Sequence, residues 1–286
     1  MVGDIYVVLM VLVAAPVAYA VKFLDVKGTV TAAVMGLVVG FSIGPGFLAL
    51  LILFLVVNSL FTRLGYVRKA LNRAAEPKGG TRSWTNVVSN GLVSTVFAGL
   101  HLAFNSPLFY AGFLAALATS SADTTSTEIG LLSRAKPRMV TTMRSVEPGV
   151  SGGVTGLGVA GAVIGAFTVA FAGYLLLLLQ TTLGHSELSA FVLPDQLRQP
   201  YTSIPLLYIV AITAAGVCGS LYDSLIGATL QAKYVCKVCG ARVETGVHCD
   251  APTNLDKGIR ALDNDGVNIS ASVLGAITGL VLFVII

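Results

Sequence analysis

Long apolar stretches alternate with short polar ones along all 286 residues of the chain. A helix needs roughly 20 mostly apolar residues to cross a bilayer, and this pattern predicts eight spans. We place them near residues 4–21, 29–43, 46–61, 87–104, 107–120, 152–182, 203–221 and 267–286. The sequence therefore predicts an all-α, polytopic protein with about eight transmembrane helices, forming a single integral membrane domain over residues 1–286.

Basic residues are confined to one set of loops. The loops 22–28, 62–85, 120–150 and 221–265 hold 17 of the 18 lysines and arginines, and only Arg198 lies on the other face. Because positive charge marks cytoplasmic loops, we expect these four loops in the cytoplasm and both termini outside. The net charge of +4 fits this orientation and anionic lipid better than it fits nucleic acid. A mean hydropathy of +0.84 excludes an ordinary soluble domain.

Three apolar blocks do not match the length of one straight span. Blocks 29–43 and 107–120 are short, and block 152–182 is long enough to be a tilted helix or two half-helices. In the second case a re-entrant bend would lie near Gly161–Gly165 or Gly173. Two full crossings are rejected, because they would move the last basic loop outside. Gly161–Gly165 and Gly36–Gly40 also have the small-xxx-small spacing of closely packed membrane helices.

The loop 120–150 carries the densest set of candidate functional groups. Asp123 and Glu128 end an apolar block, where an isolated carboxylate is costly and indicates function. Five residues separate them, about 140° on an ideal helix, so they share a face only if the backbone unwinds. With the Ser and Thr hydroxyls between them they form an oxygen-rich set suited to Mg²⁺. Solvated acids at a capped helix end are the alternative.

The segment that closes this loop predicts an anion site. Pro148-Gly149-Val150-Ser151-Gly152-Gly153 stands at the start of the next apolar block. Backbone N–H groups and the positive end of a helix dipole attract phosphate there. Arg144 lies just ahead of the turn, and its planar guanidinium would grip phosphate oxygens.

Three further sets of polar residues stand at the starts and ends of spans. Asp223 lies in an almost wholly apolar frame and would need a cation or metal if buried. Asp263 and Asp265 would hold a second divalent ion or belong to a hydrated turn. Asn86 and Asn90 recur one turn apart, and we expect them to face protein or water rather than lipid.

A cysteine and histidine motif lies in the last basic loop. Cys236, Cys239, His248 and Cys249 have the spacing C-x₂-C-x₈-H-C, which is typical of a zinc knuckle. A reducing cytoplasmic location argues against a disulfide. We therefore predict a structural zinc-binding loop, residues 232–252, inserted before the last span; surface thiols or a redox pair are the alternatives.

Several of these motifs resemble one integral membrane family, the one that includes the plant phytyl-phosphate kinase of the vitamin E pathway. The similar segments are Ala122-Asp123-Thr124 with Glu128-Ile129-Gly130, 148–155, 219–228 and 264–268. The resemblance implies Mg²⁺-dependent phosphoryl transfer from a nucleoside triphosphate, CTP being favoured, to a phytyl or geranylgeranyl monophosphate. Catalytic carboxylates would be Asp123, Glu128 and Asp223. The phosphate-binding set would be Arg73, Lys78, Arg82, Asn86, Asn90, Arg144, Gly149, Ser151, Gly152 and Gly153.

Other functions remain compatible with the same groups. A CTP-dependent polyprenol kinase or a cytidylyltransferase that makes a CDP-lipid would use similar ions and phosphates. A transporter is the alternative of another class, but it would spread polar residues through the depth of the bilayer. Here they cluster at one end, which favours an enzyme in the cell membrane with its site facing the cytoplasm.

Overall fold

Ten helices, eight of them with 18 residues or more, make up most of the described chain. The computed structural model describes residues 2–71, 74–183 and 206–285. The helices are α1 (Val2–Ala20), α2 (Val26–Ile43), α3 (Pro45–Arg63), α4 (Tyr66–Leu71), α5 (Pro77–Gly80), α6 (Trp84–Phe104), α7 (Pro107–Gly130), α8 (Gly156–Leu183), α9 (Leu207–Thr229) and α10 (Asn264–Ile285). Within those ranges, seven helices are long and apolar enough to cross a membrane: α1, α2, α3, α6, α8, α9 and α10. The predicted all-α, polytopic architecture is confirmed.

Helix α7 is the eighth long helix, and its second half is polar. The prediction that a loop begins at residue 120 is wrong, because the helix continues to Gly130. Its hydroxyls bond back to the helix: Thr119 Oγ1 donates to the carbonyl of Ala115, and Thr125 Oγ1 to that of Ser121. Helices α3, α6, α8, α9 and α10 contact α7. The polar half is therefore buried in protein rather than exposed to lipid.

Glycines let α8 lie directly against α7. Thr125 Oγ1 donates a 2.8 Å hydrogen bond across the interface to the carbonyl of Gly161. A Cβ at Gly161 would lie only 2.6 Å from the carbonyl oxygen of Thr125, and one at Gly165 would collide with the Thr125 hydroxyl. The predicted close packing at Gly161–Gly165 is confirmed. Helix α8 is also continuous over 28 residues, so the alternative of a re-entrant bend is wrong.

An apolar core fills one end of the bundle. Phe47, at the start of α3, packs edge-on against Tyr110 and Phe113 of α7, with ring centroids 4.8 Å and 6.1 Å apart. Val39 and Ile43 at the end of α2 are fully buried in the same cluster. Because this end is apolar, the polar chemistry of the chain is left to the other end.

The four basic loops lie together at that other end. The backbone N–H of Arg82 donates to Phe23, and the N–H of Asp25 donates to Arg82, each at 3.0 Å, so the loop after α1 joins the start of α6. Arg68 after α3 reaches the carbonyl of Ser133 after α7 at 3.5 Å. The predicted grouping of these loops at one end is therefore present in the fold.

Three small β-sheets lie at this end of the bundle. β1 (Arg138–Met139) pairs antiparallel with β2 (Gly153–Val154) ahead of α8. Between α9 and α10, β3 (Lys233–Val235) pairs with β4 (Arg242–Val243) and β7 (Asn254–Lys257), and β5 (Val247–His248) pairs with β6 (Ala251–Pro252). This β-insertion, residues 233–257, extends slightly beyond the predicted loop 232–252.

Candidate functional site

A polar cavity of about 240 Å³ opens where the loops meet. Helices α3, α6, α7, α9 and α10 form its walls together with the turn before α8 and the β-insertion. The charged groups that line it are Glu76, Asp123, Glu128, Asp223, Glu244 and Arg82. Within the described lining, carboxylates thus outnumber basic groups by five to one, which favours a bound cation.

Asp123 and Asp223 enter the cavity from two different helices. Asp123 lies on α7 and Asp223 on α9, and both residues line the cavity. Among the described residues, the buried Oδ2 atom of Asp223 has no hydrogen-bond partner. A buried carboxylate oxygen without a donor is costly, so this atom is free to bind a cation. Oxygen donors from carboxylates and nearby amides fit Mg²⁺ well.

Glu128 also lines the cavity, but it already has a positive partner. The Lys69 ammonium lies 2.5 Å from Glu128 Oε2, and both side chains are almost completely buried. Lys69 also donates to the carbonyls of Phe61 and Thr62 at the end of α3. The sequence predicted Glu128 as a Mg²⁺ ligand; in the structure its charge is balanced by Lys69, which ties α4 to α7.

Arg82 is the one guanidinium among the described lining residues. Its Nη2 atom lies 3.4 Å from Thr62 Oγ1, and its buried Nε atom has no partner in the described chain. Burial lowers the pKa of Arg82, and the negative charges of Glu76 and Glu128 oppose this effect. An arginine stays protonated nonetheless, so Arg82 offers a free N–H donor to an anion. Burial also raises the pKa of Glu76.

Asn86 and Asn90 face protein and cavity, as their spacing predicted. Asn86 Oδ1 accepts from the backbone N–H of Ser83 at 3.1 Å and caps α6. Asn90 Nδ2 donates to the carbonyl of Asn86, and the carbonyl of Asn90 accepts from Ser120 on α7. Both amides line the polar cavity. Their roles in phosphate binding stay a prediction.

The 149–153 turn lines the cavity without opening a helix. Helix α8 begins at Gly156, where Thr155 Oγ1 accepts from the N–H of Gly158 and caps the helix. Gly149 and Gly152 have φ values of +85° and +86°, a conformation that favours glycine, and the N–H of Gly153 donates to Val150. The prediction that this turn is a helix N-terminus is therefore wrong, because the β1–β2 pairing intervenes.

Several predicted residues lie away from the cavity. Lys78 is exposed and lies 3.9 Å from Asp25, and Arg144 is exposed in the loop after β1. Asp263 Oδ1 accepts from the N–H of Gly266 and so caps the start of α10; its role in metal binding stays a prediction. Asp265 is not among the lining residues either; Asn264 and Asn268 line the wall there. Arg73 lies outside the described residues.

The cysteine and histidine motif forms one compact group, the Cys/His cluster: Cys236, Cys239, His248 and Cys249. One ligand atom from each residue lies within 4.8 Å of all the others. Cys249 and Asp250 form the tight turn between β5 and β6, with φ values of +51° and +54°. Hydrogen bonds from the backbone of Cys239 and from His248 lower the pKa of the Cys236 thiol to about 6. Four soft ligands around one point fit a tetrahedral zinc ion.

The β-insertion also reaches the polar cavity. Glu244 Oε2 accepts hydrogen bonds from Ser151 Oγ at 2.9 Å and from Gln231 Nε2 at 3.0 Å. Gln231 follows α9, and Ser151 belongs to the turn before α8. The cavity is thus closed on one side by a carboxylate from the insertion that contains the Cys/His cluster.

Comparison with known proteins places the chain in a family. Residues 9–276 match the family described as "Integral membrane protein DUF92". The chain belongs to this family. It is 29% identical over 263 residues to an uncharacterized membrane protein of Methanocaldococcus jannaschii, covering 92% of this chain and 87% of the relative. No solved structure gives a significant match.

Two relatives of this DUF92 protein come from Arabidopsis thaliana. "Protein PGR" is 30% identical over 272 residues, which cover 90% of this chain and 88% of the relative. "Protein VTE6, chloroplastic" is 23% identical over 264 residues, which cover 91% of this chain and 65% of the relative. The family resemblance drawn from the motifs is confirmed.

Two charged residues at or behind the cavity wall of this DUF92 protein were not singled out from the sequence: Glu244 lines the cavity, and Lys69 lies behind it, paired with Glu128. Glu244 is one charge among several in a polar loop, and only the fold of the insertion brings it to Ser151. Lys69 belongs to the basic loop 62–85, yet it is fully buried against Glu128. The sequence of a basic loop carries no signal that separates a buried lysine from a solvated one.

Proposed function

We propose that the protein is a membrane phosphotransferase. In this proposal it transfers the γ-phosphoryl group of a nucleoside triphosphate, CTP being the favoured donor, to an isoprenyl monophosphate such as phytyl or geranylgeranyl monophosphate. The products are the isoprenyl diphosphate and a nucleoside diphosphate. The observation that carries the proposal is the buried, unpartnered Oδ2 atom of Asp223, a residue that lines the cavity together with Asp123 and Arg82.

The charges of the polar cavity suit phosphoryl transfer. Such transfer requires positioning and neutralisation of charge more than covalent help from the protein. Asp123 and Asp223 would hold Mg²⁺, with Glu244 beside them. When bound, Mg²⁺ would neutralise the charge of the nucleotide phosphates. Arg82 would donate its free Nε–H to a phosphate oxygen.

The reaction is balanced without a general base from the protein. A terminal oxygen of the isoprenyl monophosphate attacks the γ-phosphorus, and a new P–O bond forms. The bond between the γ-phosphorus and the β–γ bridging oxygen breaks, and its electron pair leaves with the nucleoside diphosphate. The protein's own groups bind the two phosphates in line and keep them apart from bulk water.

We also infer the surroundings of the site. The basic loops would place it at the cytoplasmic face of the cell membrane, at the level of the lipid headgroups. The Cys/His cluster would hold a structural zinc ion, because four filled ligand positions leave no open place for catalysis. Such an ion would fix the β-insertion, and through it Glu244, against the cavity.

A product assay tests the reaction. The purified protein in lipid nanodiscs is given Mg²⁺, geranylgeranyl monophosphate and CTP labelled at either the α- or the γ-phosphate. We expect γ-label in geranylgeranyl diphosphate and α-label in CDP. Transfer of α-label to the lipid with release of pyrophosphate would instead identify a cytidylyltransferase. No transfer from any of the four nucleoside triphosphates by a folded protein would refute the proposal.

A further inference from the structure

A second, apolar cavity of about 190 Å³ lies among α1, α2, α3 and α6. Its wall is aliphatic along most of its length, with Val11, Ala14, Ala33, Leu48, Leu55 and Val87 among the lining residues. A helical rise of 1.5 Å per residue makes its extent along α1, from Val11 to Ala18, roughly 10 Å. The reaction proposed above does not use this space.

The two cavities meet at one set of polar residues. Arg82, Asn86 and Asn90 line the apolar cavity, and the same three residues line the polar one. Within the described chain the buried Nε–H of Arg82 has no acceptor. An apolar channel that ends at a free guanidinium donor complements an amphiphile with an anionic head and an apolar tail.

The apolar cavity also reaches the outer surface of the bundle. Val17 on α1 and Val56 on α3 line the cavity and are at the same time exposed. These exposed side chains belong to helices apolar enough to span a membrane. A lipid could therefore enter sideways from the bilayer, without passing through water.

The size of the cavity sets how much of a lipid it holds. An engineered apolar cavity of roughly 150 Å³ takes up a single benzene ring. By this comparison, a space of about 190 Å³ holds a short segment of one hydrocarbon chain, and the rest of a longer chain would extend through the exposed side into the bilayer. A lipid with one chain next to its phosphate fits this space.

We propose that the apolar cavity binds the hydrocarbon chain of a single-chain lipid monophosphate, with its phosphate held at Arg82. The identification of this lipid as the isoprenyl monophosphate rests on the proposed function. The chain lies between α1, α2 and α3, and the phosphate projects past Asn86 and Asn90 into the polar cavity. The part of the chain that the apolar cavity holds then influences which chain lengths are preferred.

Photo-crosslinking tests the location of the chain without requiring turnover. The wild-type protein in nanodiscs is exposed to a geranylgeranyl-type monophosphate with a diazirine at the chain end, and adducts are mapped by mass spectrometry. We expect adducts on α1, α2 and α3 that geranylgeranyl monophosphate suppresses. Inorganic phosphate and geranylgeraniol should each compete at least tenfold less well. Adducts confined to α8 or α9, or full competition by inorganic phosphate, would refute the binding site.

A pair of variants on α2 tests chain selection. Ala33 lines the cavity, whereas its neighbour Val34 is exposed on the lipid-facing side and does not. Ala33→Phe should lower kcat/KM for the geranylgeranyl substrate by roughly tenfold or more, and should lower it less for a geranyl substrate. Val34→Phe should leave both values unchanged. An equal loss with both chain lengths in Ala33→Phe, or the same change in both variants, would contradict the proposal.

The two proposals fail in distinguishable ways. Specific adducts at α1–α3 in a protein that transfers no phosphate would support the lipid site and refute the kinase reaction. Transfer with normal kinetics, but with adducts elsewhere and no change of chain preference in Ala33→Phe, would support the kinase reaction and refute the lipid site.

Discussion

The Oγ atom of Ser151 donates a 2.9 Å hydrogen bond to Oε2 of Glu244. This bond joins the turn before α8 to the β-insertion before α10, which are 93 residues apart in the chain. Glu244 consequently becomes part of a cavity whose other carboxylates come from the membrane helices and the 74–83 loop. The insertion is therefore a structural component of the candidate site.

Substitution of Glu244 is expected to weaken cation binding. Glu244→Gln keeps the shape of the side chain but removes a negative charge from the cavity wall. We expect the Mg²⁺ concentration for half-maximal activity to rise by roughly 10- to 100-fold, as for other groups that support metal ligands. Magnesium titration of the transfer assay measures this shift.

Glu147→Gln is the matched control for this change. Glu147 is exposed, and its side chain lies 3.5 Å from that of Lys136 at the surface. The control should behave as wild type. A magnesium dependence in Glu244→Gln identical to that of the control would show that Glu244 is only a structural contact.

Removal of one cysteine should release zinc. The purified protein is expected to contain about one zinc ion per chain, and Cys236→Ser should lower this content strongly because zinc sites with four protein ligands need all of them. Elemental analysis gives the content. Cys218→Ser is the control, since Cys218 lies on α9 and does not belong to the Cys/His cluster. Full zinc content in Cys236→Ser, or none in wild type, would contradict the zinc assignment.

Replacement of Asp223 is expected to lower the transfer activity without lowering the stability of the folded protein. Asp223→Asn removes a charge whose Oδ2 atom lacks a donor in the described structure, so the folded protein should be as stable as wild type or more stable. Activity should fall by about a hundredfold or more, because the electrostatic groups of a site supply much of its rate. Thermal unfolding in detergent and the transfer assay give the two values.

The control for Asp223→Asn is Asp256→Asn. Asp256 lies in β7, where its carboxylate is 3.5 Å from Arg242 near the surface. This variant should keep wild-type activity. Unchanged turnover in Asp223→Asn would remove Asp223 from the proposed mechanism, even if the stability result agreed with expectation.

The buried pair of Lys69 and Glu128 should be important for folding. Lys69→Met leaves the Glu128 carboxylate buried without its counter-charge, and we expect a loss of about 3–5 kcal/mol in the free energy of unfolding. The double variant Lys69→Met/Glu128→Gln should recover most of this loss, because it no longer buries an unpaired charge. Arg68→Met, at an exposed position of the same helix, should change stability little. A single variant as stable as the double one would contradict this account.

Two glycines should respond in opposite directions to the same change. In Gly161→Ala the new Cβ would lie 2.6 Å from a backbone oxygen of α7, and we expect a loss of about 1–3 kcal/mol. Gly99 on α6 has no atom within 4 Å of such a Cβ, so Gly99→Ala should stabilise the helix by about 0.5–1 kcal/mol. Thermal unfolding of both variants measures the contrast. Equal effects would mean that α7 and α8 do not pack as described.

The sequence predicted the helices well where apolar runs were long. It failed at α7 because a hydropathy pattern reports contact with lipid, whereas Ser121, Thr125 and Glu128 are buried against other helices. The candidate carboxylates Asp123 and Asp223 stood out because each lies next to an apolar run. Glu244 could not be recognised in this way, since its position depends on how the β-insertion folds back onto Ser151.

The polar half of α7 also affects how the protein is made. Its buried hydroxyls and the Glu128 carboxylate are unsuited to lipid, and three of the helices that cover them, α8, α9 and α10, are synthesised after α7. We therefore expect α7 to complete its insertion into the membrane only after α8, α9 and α10 have been synthesised. A ribosome that stops before α10 would leave a chain with most of its spans but no complete cavity.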